Sequence, residues 1–160
     1  MPSAISNTAV MEFAKKLPGK GALIGIDYGQ VNCGLAVSDE NRIIASAMKT
    51  VKQKDLKKEI DSLSAGRNIC GLVVGLPVEI GGREGPMAAK VRGYVEKNIE
   101  ILGLPILFCD ERYTSVIAQR TLINIGDVPR GKRKQAIDKL AAVVILQGVL
   151  DSLAKIKTQS

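Results

Sequence analysis

The sequence predicts an α/β domain in which five strands form one mixed sheet with helices on both faces. Three observations predict this fold class. The chain has 160 residues, the usual size of one domain with a single core. Apolar residues make up 46% of it and aromatic residues only 3%, so the core must be aliphatic. Short apolar runs bounded by turns come first and then alternate with helical patterns, which is typical of an antiparallel ribbon followed by βαβ crossovers.

The first half of the chain predicts three antiparallel strands and then a helix. The predicted strands span 21–27, 33–38 and 43–51. Their connections are short, and strands joined by short turns are antiparallel neighbours. A helix over 54–66 is predicted because Leu56, Ile60 and Leu63 recur at helical spacing and Gly66 follows as a stop signal.

The second half predicts two more strands, each followed by helical sequence. The predicted elements are a strand over 69–75, a helix from Pro86 to about 102, a strand over 106–109, a helix from 114 or 115 to about 125, and a last helix from about 132 to 155. The strand over 69–75 is apolar throughout and is therefore expected at the centre of the sheet. Pro86 suits the first turn of a helix.

The first 18 residues show no clear periodicity and end at a Pro-Gly pair. We interpret 1–18 as a tail or short helix outside the core, and 19–158 as a single domain. The longest apolar run, 140–146, is far shorter than the ~20 residues that span a bilayer. The order of charged and apolar residues near the start is wrong for a secretory signal. These features predict a cytoplasmic protein with no membrane partner.

The inventory of reactive side chains restricts the chemistry. Cys33, Cys70 and Cys109 lie far apart beside apolar neighbours, so they are interpreted as three reduced core thiols. The chain contains no histidine, which removes the commonest general base and the commonest zinc ligand. Any catalysis must therefore use carboxylates, lysines, hydroxyls or thiols.

The charge of the chain favours a polyanionic partner such as nucleic acid. The net charge is +7 and the pI is about 9.4. A basic cluster, formed by Arg130, Lys132, Arg133 and Lys134, precedes or begins the last predicted helix. This cluster is interpreted either as a phosphate-binding surface or as the solvated start of a helix.

Acidic residues follow two of the predicted strands directly. Asp27 ends the first strand before Tyr28-Gly29, and Asp110-Glu111 ends the fifth. If these strands are parallel, their carboxyl ends meet at one edge of the sheet, together with the Gly75–Pro77 turn. A charge at that edge needs a partner, which is an Arg, a Lys or a metal ion. The alternatives are a turn-forming role for Asp27 and a local ion pair between Glu111 and Arg112.

A third acid, Asp138, lies in the last predicted helix. It shares a helical face with Ala141, Ala142 and Ile145, and this small apolar face is expected to pack on the sheet. The alternative interpretation is an acid that interacts with the dipole in the first turn of the helix.

Three carboxylates at close range cannot all stay ionised without a strong cation. Oxygen ligands suit Mg²⁺ or Mn²⁺, and two such ions stabilise the attacking and leaving oxygens of phosphoryl transfer. The acids and the basic cluster together predict a metal-dependent nuclease.

Four ordered motifs resemble the YqgF/RuvX family in order and spacing, the last of them in two parts. They are Gly25-Ile-Asp-Tyr-Gly29 with Gly34–Asp39, Val74-Gly-Leu-Pro77 with Glu84-Gly-Pro86, Asp110-Glu-Arg-Tyr-Thr-Ser115, Asp138-Lys-Leu-Ala-Ala142, and Ile145-Leu-Gln147. This family is described as pre-16S rRNA nucleases and as Holliday junction resolvase-like. The resemblance covers about residues 21–152 and implies a ribonuclease H-like fold. It also implies an acidic triad of Asp27, Glu111 and Asp138, with Asp110 as a substitute or helper.

The resemblance implies a hydrolase that matures the 5′ end of pre-16S rRNA with Mg²⁺ or Mn²⁺ as a cofactor, two ions in all. Structured RNA, branched DNA and ribosome assembly intermediates are the expected partners, and the chain is expected to act as a monomer or homodimer. The residues expected to contact substrate are Gly29, Gly75, Pro77, Arg83, Arg112, Arg130, Lys132, Arg133 and Lys134.

The sequence departs from the family pattern near the first acid. Val31-Asn32 stands where the family usually carries a basic pair, and the loop after Pro77 reads Glu79-Ile-Gly-Gly-Arg83. Phosphate contacts from the first turn are therefore expected to be weaker, with Arg83 and the basic cluster as compensation.

Three other functions compete with this interpretation. The first is resolution of Holliday junctions in DNA. The second is a non-catalytic nucleic-acid-binding factor in transcription or ribosome assembly. The third is an ATPase of the actin and sugar-kinase type, which needs two such domains and a second Asp-x-Gly turn, whereas this chain has one of each.

Overall fold

The structure is a computed structural model that describes the backbone over residues 7–29, 31–76, 85–110 and 130–159. Side chains are described over 8–29, 31–76, 85–109 and 140–157. The predicted helix over 114–125 lies outside these ranges.

Five strands form one sheet in the order β3-β2-β1-β4-β5. The strands are β1 (Ala22–Asp27), β2 (Asn32–Ser38), β3 (Ala45–Lys52), β4 (Ile69–Leu76) and β5 (Ile106–Asp110). β2 is antiparallel to both β1 and β3, whereas β4 is parallel to both β1 and β5. The predicted meander and parallel crossovers are confirmed. The apolar strand β4 is buried throughout, as expected, but it lies between β1 and β5, and the central strand is β1.

In the part of the chain that the structure describes, four helices and two short 3₁₀ segments connect and cover the strands. The helices are α1 (Asn7–Lys16), α2 (Leu56–Gly66), α3 (Pro86–Asn98) and α4 (Arg130–Gln159), and the 3₁₀ segments are Gln53–Asp55 and Glu100–Leu102. α3 ends earlier than predicted, because the chain tightens into the second 3₁₀ segment and then turns at Gly103 with a left-handed φ of 74°.

The sheet is covered on both faces, as predicted. One face carries Ile24, Ile26 and Val74 and packs against α2 and α3. The other carries Leu23 and Val73 and packs against α1 and α4. Alternate residues of a strand point to opposite faces, so the continuous apolar run of β4 supplies both cores at once.

The N-terminal segment corrects one expectation. The short helix is present as α1, but Val10 and Phe13 are buried in the same cluster as α4, so the prediction that this helix lies outside the core is wrong. The helix packs where β4 has no side chain, because a Cβ at Gly71 would lie 3.0 Å from Phe13 Cζ and 3.1 Å from Leu17 Cδ2. Val10, Phe13 and Leu17 follow the i, i+3, i+7 pattern of an amphipathic helix. The domain boundary at residue 19 stays a prediction.

Cys33, Cys70 and Cys109 are free and buried, which confirms their interpretation as core thiols. Among the described helices, none combines the length and apolar character needed to cross a bilayer.

Candidate active site

Three parallel strands end side by side at the carboxyl edge of the sheet. Asp27 pairs with Gly75 of β4, and Gly75 pairs with Cys109 of β5. One residue further, Leu76 pairs with Asp110. The ends of β1, β4 and β5 are therefore level, and the backbone positions of Asp27 and Asp110 lie at one edge.

Asp27 lies on the face of the sheet that α4 covers. Leu23 belongs to the cluster on the α4 face, and Gly25 contacts α4 directly. Because strand residues alternate between faces, Asp27 shares this side with both of them. The side chain is half-buried, at the boundary between the core and solvent.

The hydrogen bonds of Gln147, at the amino edge of the sheet, show in which direction α4 runs across it. Gln147 Nε2 donates to the carbonyl oxygen of Ile43 at 3.0 Å, and its Oε1 accepts from the Ala45 N–H at 2.9 Å. Ala45 pairs with Ser38, whose hydroxyl accepts from the Leu23 N–H at 2.9 Å near the start of β1. The later part of α4 is thus at the start of β1, and its earlier part lies toward the end of β1.

A close contact sets the level of α4 against β1. A Cβ at Gly25 would lie 2.8 Å from Leu146 Cβ and 2.9 Å from the carbonyl oxygen of Ala142. Asp138 precedes Ala142 by one helical turn, about 6 Å along the axis. Asp27 follows Gly25 by two strand residues, about 6.6 Å. The backbone position of Asp138 is therefore level with Asp27 on the facing helix.

The turn after Asp27 is tight and requires glycine. A Cβ at Gly29 would overlap the carbonyl oxygen of Asn32. The Cys33 thiol donates to the carbonyl oxygen of Gly29 at 3.8 Å, a long contact of the kind sulfur makes. Any other residue at position 29 would force this turn away from the end of β1.

Gln53 ties this turn to the rest of the molecule, and sequence reasoning missed it. Its Nε2 donates to the Tyr28 hydroxyl at 2.8 Å, and its backbone N–H donates to the Val31 carbonyl oxygen at 2.8 Å. Its own carbonyl oxygen accepts from the Tyr94 hydroxyl of α3 at 2.9 Å. No sequence signal marks a single glutamine between a strand and a helix, so this role was not predictable.

The two tyrosines of this network also pack on each other. The rings of Tyr28 and Tyr94 lie 5.2 Å apart between centroids, with an interplanar angle of 50°. Burial raises the pKa of both hydroxyls above the ordinary value for tyrosine. Both therefore keep their protons at neutral pH, so the Tyr94 hydroxyl remains a donor.

The remaining predicted site residues divide into two groups. Arg130, Lys132, Arg133 and Lys134 lie in the first two turns of α4, and their side chains, like those of Asp110 and Asp138, are not among the described ones. Pro77, Arg83, Glu111 and Arg112 lie outside the described backbone. Asp27 is the one acid of the predicted triad with a described side chain, and the described side chains include no group of three metal-ligating residues.

The family of the chain follows from the sequence match. The model of the RuvX family, described as Holliday junction resolvase, matches residues 21–152. This chain belongs to the RuvX family. The matched range includes all five strands and most of α4.

Relatives match along almost their full length. A protein of Rhodopseudomonas palustris strain HaA2, named "Putative pre-16S rRNA nuclease", is 40% identical over 157 residues, which is 96% of each chain. A protein of Cereibacter sphaeroides strain ATCC 17029 with the same name is 40% identical over 147 residues, which is 90% of this chain and 91% of that one.

A solved structure shows the fold. Thermus thermophilus RuvC in complex with Holliday junction substrate superposes with a TM-score of 0.50 at 17% identity, over 86% of this chain and 97% of that chain. At this identity the likeness establishes the fold alone, and the predicted ribonuclease H-like class is confirmed.

Proposed function

We propose that the chain is a nuclease that hydrolyses phosphodiester bonds, with 5′-end maturation of pre-16S rRNA as its role in the cytoplasm. One observation carries the proposal. The half-buried carboxylate of Asp27 ends β1 on the face where α4 comes level with Asp138. Two acids from distant segments of the sequence at one sheet edge suit a metal-assisted hydrolase. The names of the relatives support pre-16S rRNA as the substrate.

The donor set fits a hard divalent cation. The proposed ligands Asp27, Glu111 and Asp138 are all carboxylates, and the sequence offers no histidine to favour zinc. The Asp27 side chain is half-buried and has lost part of its hydration, so its negative charge is stabilised by a bound cation. We propose that these residues hold Mg²⁺ or Mn²⁺, two ions in all, which would stabilise the attacking and leaving oxygens.

The alternation of β5 supports Glu111 over Asp110 as the third ligand. Leu107 and Cys109 both belong to the cluster on the α4 face, the side on which Asp27 lies. Because strand residues alternate between faces, position 110, the last of β5, belongs to the opposite side. Asp110 is therefore proposed as a helper and Glu111 as the ligand.

The basic cluster of α4 is proposed to bind the phosphate backbone of the substrate. Arg130, Lys132, Arg133 and Lys134 precede Asp138 by one to two turns, at the end of α4 nearest the carboxyl edge. Lysine and arginine side chains at such a position bind phosphates and make affinity depend on salt. The other proposed substrate contacts are Gly29, Gly75, Pro77, Arg83 and Arg112. Ribosome assembly intermediates are the proposed partners, bound by a monomer or a homodimer.

Resolution of Holliday junctions is the second candidate function. The family description favours it, because it names that reaction. A resolvase cuts two strands symmetrically, which requires two copies of the site and hence a dimer. A binding factor without turnover remains the alternative if no cleavage is found.

The test is a side-by-side cleavage assay. Purified protein is incubated with a precursor 16S rRNA fragment and with a four-way DNA junction, in Mg²⁺, in Mn²⁺ and in EDTA. We expect metal-dependent cutting of the RNA, which the Asp27→Asn variant abolishes while its circular dichroism spectrum is unchanged. Preferential cutting of the junction would select the resolvase function. Equal activity of wild type and variant would identify a contaminating nuclease and reject the site.

A further inference from the structure

Lys52 lies close to the proposed catalytic edge, on the side of the sheet that carries Asp27. It is the last residue of the edge strand β3 and pairs with Asn32 of β2. Asn32 and Gly34 are two residues apart in β2 and so share a face, and Gly34 pairs with Asp27. Directly paired residues also share a face, so Lys52 and Asp27 lie on the same side of the sheet.

Strand geometry gives the separation of these two residues. Lys52 is two strands away from Asp27, about 10 Å across the sheet, and two residues further along, about 6.6 Å. Their Cα atoms are therefore about 12 Å apart, which equals the axial rise of three to four base pairs of B-form DNA at about 3.4 Å each. A phosphate bound by Lys52 would be a near neighbour of the scissile one.

The charges of Lys52 and Lys54 are not used within the described part of the molecule. Both side chains are exposed. Lys49 forms an ion pair with Glu59 on the opposite face. The side chains of Lys52 and Lys54 have no described ion pair or hydrogen bond. Asp55, also exposed, is the adjacent acid in the sequence, and Lys57 and Lys58 follow it, so the segment stays net positive.

Gln53 fixes the position of the two lysines. It lies between them and is hydrogen-bonded to Tyr28, to Val31 and to Tyr94, as described above. A lysine held on such a braced segment loses less conformational freedom on binding than one on a mobile loop. The neighbouring turn carries no cation of its own, since Val31 is exposed and apolar and Asn32 is uncharged.

We propose that Lys52 and Lys54 bind phosphate groups of the nucleic-acid backbone beside the catalytic edge, supplying the positive charge that the Val31-Asn32 turn lacks. This inference rests on the proposed nuclease function. Together with the basic cluster proposed at the start of α4, these two lysines would form a basic track along the carboxyl edge.

The test measures binding in EDTA, so that cleavage plays no part. Affinity of the wild type, Lys52→Gln, Lys54→Gln and the double variant is measured by fluorescence anisotropy at several salt concentrations. Lys97→Gln is the matched control, because Lys97 is an exposed lysine in the last turn of α3, at the amino edge. The probes are a structured precursor 16S rRNA fragment and a four-way DNA junction.

Log K falls as log [salt] rises, and each lost phosphate contact makes this negative slope shallower by about 0.9 on duplex DNA and about 0.7 on a single strand. We expect the double variant to lose about 1.4 to 1.8 from the slope, with the Lys97→Gln slope equal to that of the wild type. A loss on the RNA alone or on the junction alone would identify which backbone follows the track. Wild-type slopes in all lysine variants would overturn the proposal.

The outcomes separate this proposal from the nuclease proposal. Slope losses in a protein that cuts neither substrate would support the phosphate contacts and reject the nuclease. Metal-dependent cutting with unchanged slopes would support the nuclease and reject the phosphate contacts of Lys52 and Lys54. A wild type that binds neither probe would reject both. Thermal unfolding of each variant at the wild-type temperature shows that any loss is not due to misfolding.

Discussion

The two ends of the sheet use the same types of charged residue in different ways. At the amino edge, charges are satisfied by the local backbone. The Asp39 carboxylate accepts N–H groups from Asn41, Ile43 and Ile44 at 3.2, 2.8 and 2.9 Å. Arg42, with a left-handed φ of 57°, donates to the carbonyl oxygens of Gly21 and Pro18, both at 2.8 Å.

At the carboxyl edge, charged residues come from distant segments and meet at strand and helix ends. Asp27 and Asp110 end parallel strands there, and Lys52 and Lys54 are exposed without a described partner. The contrast teaches that a carboxylate or lysine alone does not mark a functional site. Asp39 stabilises its own turn through local backbone N–H groups, whereas Asp27 lies where segments far apart in the sequence come together.

Replacing one carboxylate at each edge of the sheet should give the largest difference in cleavage rate between the two edges. Loss of even an outer partner of a metal ligand costs 10- to 100-fold in activity, so loss of a ligand itself should cost more than about 100-fold. Asp27→Asn should therefore lose more than about 100-fold in cleavage rate, whereas Asp39→Asn should cut at the wild-type rate. Single-turnover cleavage of the RNA fragment measures both. Comparable losses in the two variants would remove the distinction between the ends.

Filling the contact between β1 and α4 should have the next largest effect. Gly25→Ala places a methyl group 2.8 Å from Leu146 Cβ and 2.9 Å from the Ala142 carbonyl oxygen. Overpacking of this kind costs about 1–3 kcal/mol, and here it also pushes α4 away from β1. Urea unfolding measures the loss of stability, and the cleavage assay measures the displacement of Asp138.

The matched control is Gly93→Ala in α3, where a Cβ meets nothing within 4 Å. Alanine in a helix interior is favoured over glycine by about 1 kcal/mol, so this variant should be as stable as the wild type or more so. A Gly25→Ala protein with wild-type stability would show that helix and strand separate without cost.

One glutamine braces each end of the sheet, which allows a comparison of smaller effects. Gln53→Ala removes the donor to the Tyr28 hydroxyl, and Gln147→Ala removes the bonds to Ile43 and Ala45. Each should lower the free energy of unfolding by about 1–2 kcal/mol. Gln53→Ala should also slow cleavage at saturating substrate more than Gln147→Ala does, because the bond to Tyr28 adjoins Asp27, whereas Gln147 holds α4 more than two helical turns away from Asp138. Equal cleavage rates would show that this brace is structural only.

The contribution of Asp39 to the pH dependence of stability should be the smallest of these effects. The N–H groups of Ile44 and its neighbours hold the pKa of this carboxyl below its ordinary value. A lowered pKa in the folded state stabilises the protein above the unfolded pKa, and the contribution disappears as pH falls through the folded value. Stability should therefore drop below about pH 4 in the wild type, and less so in Asp39→Asn. Urea unfolding between pH 2 and 6 tests this, and parallel curves would contradict it.

The sequence alone predicted most of the fold because its signals are local. Apolar runs, glycine turns and the spacing of Leu56 and Ile60 determine the strands and α2 without reference to distant parts of the chain. The burial of α1 was missed although Val10 and Phe13 carry the helical spacing. A short helix is recognised as part of the core only when its partner surface, here Gly71 in β4, is known.

The sequence predicted where the acidic residues of the candidate site lie, but it did not predict the contacts that hold the surrounding elements in place. The parallel ends of β1 and β5 could be inferred from the order of elements, and with them the edge that carries Asp27 and Asp110. The antiparallel direction of α4 and the brace at Gln53 depend on contacts between segments far apart in sequence. Such contacts leave no local pattern, since one glutamine resembles any other.

The covering of the α4 face has a consequence for the order of folding. On the opposite face, α2 and α3 come between the strands in the sequence and pack on that sheet, so their contacts close smaller loops and form earlier. The α4 face requires α1 and α4, which contact each other from opposite ends of the sequence. Contacts between distant segments carry a high loop-closure cost and form late. The sheet edge that carries Asp27 should thus be completed in the last stage of folding, after the opposite core has formed.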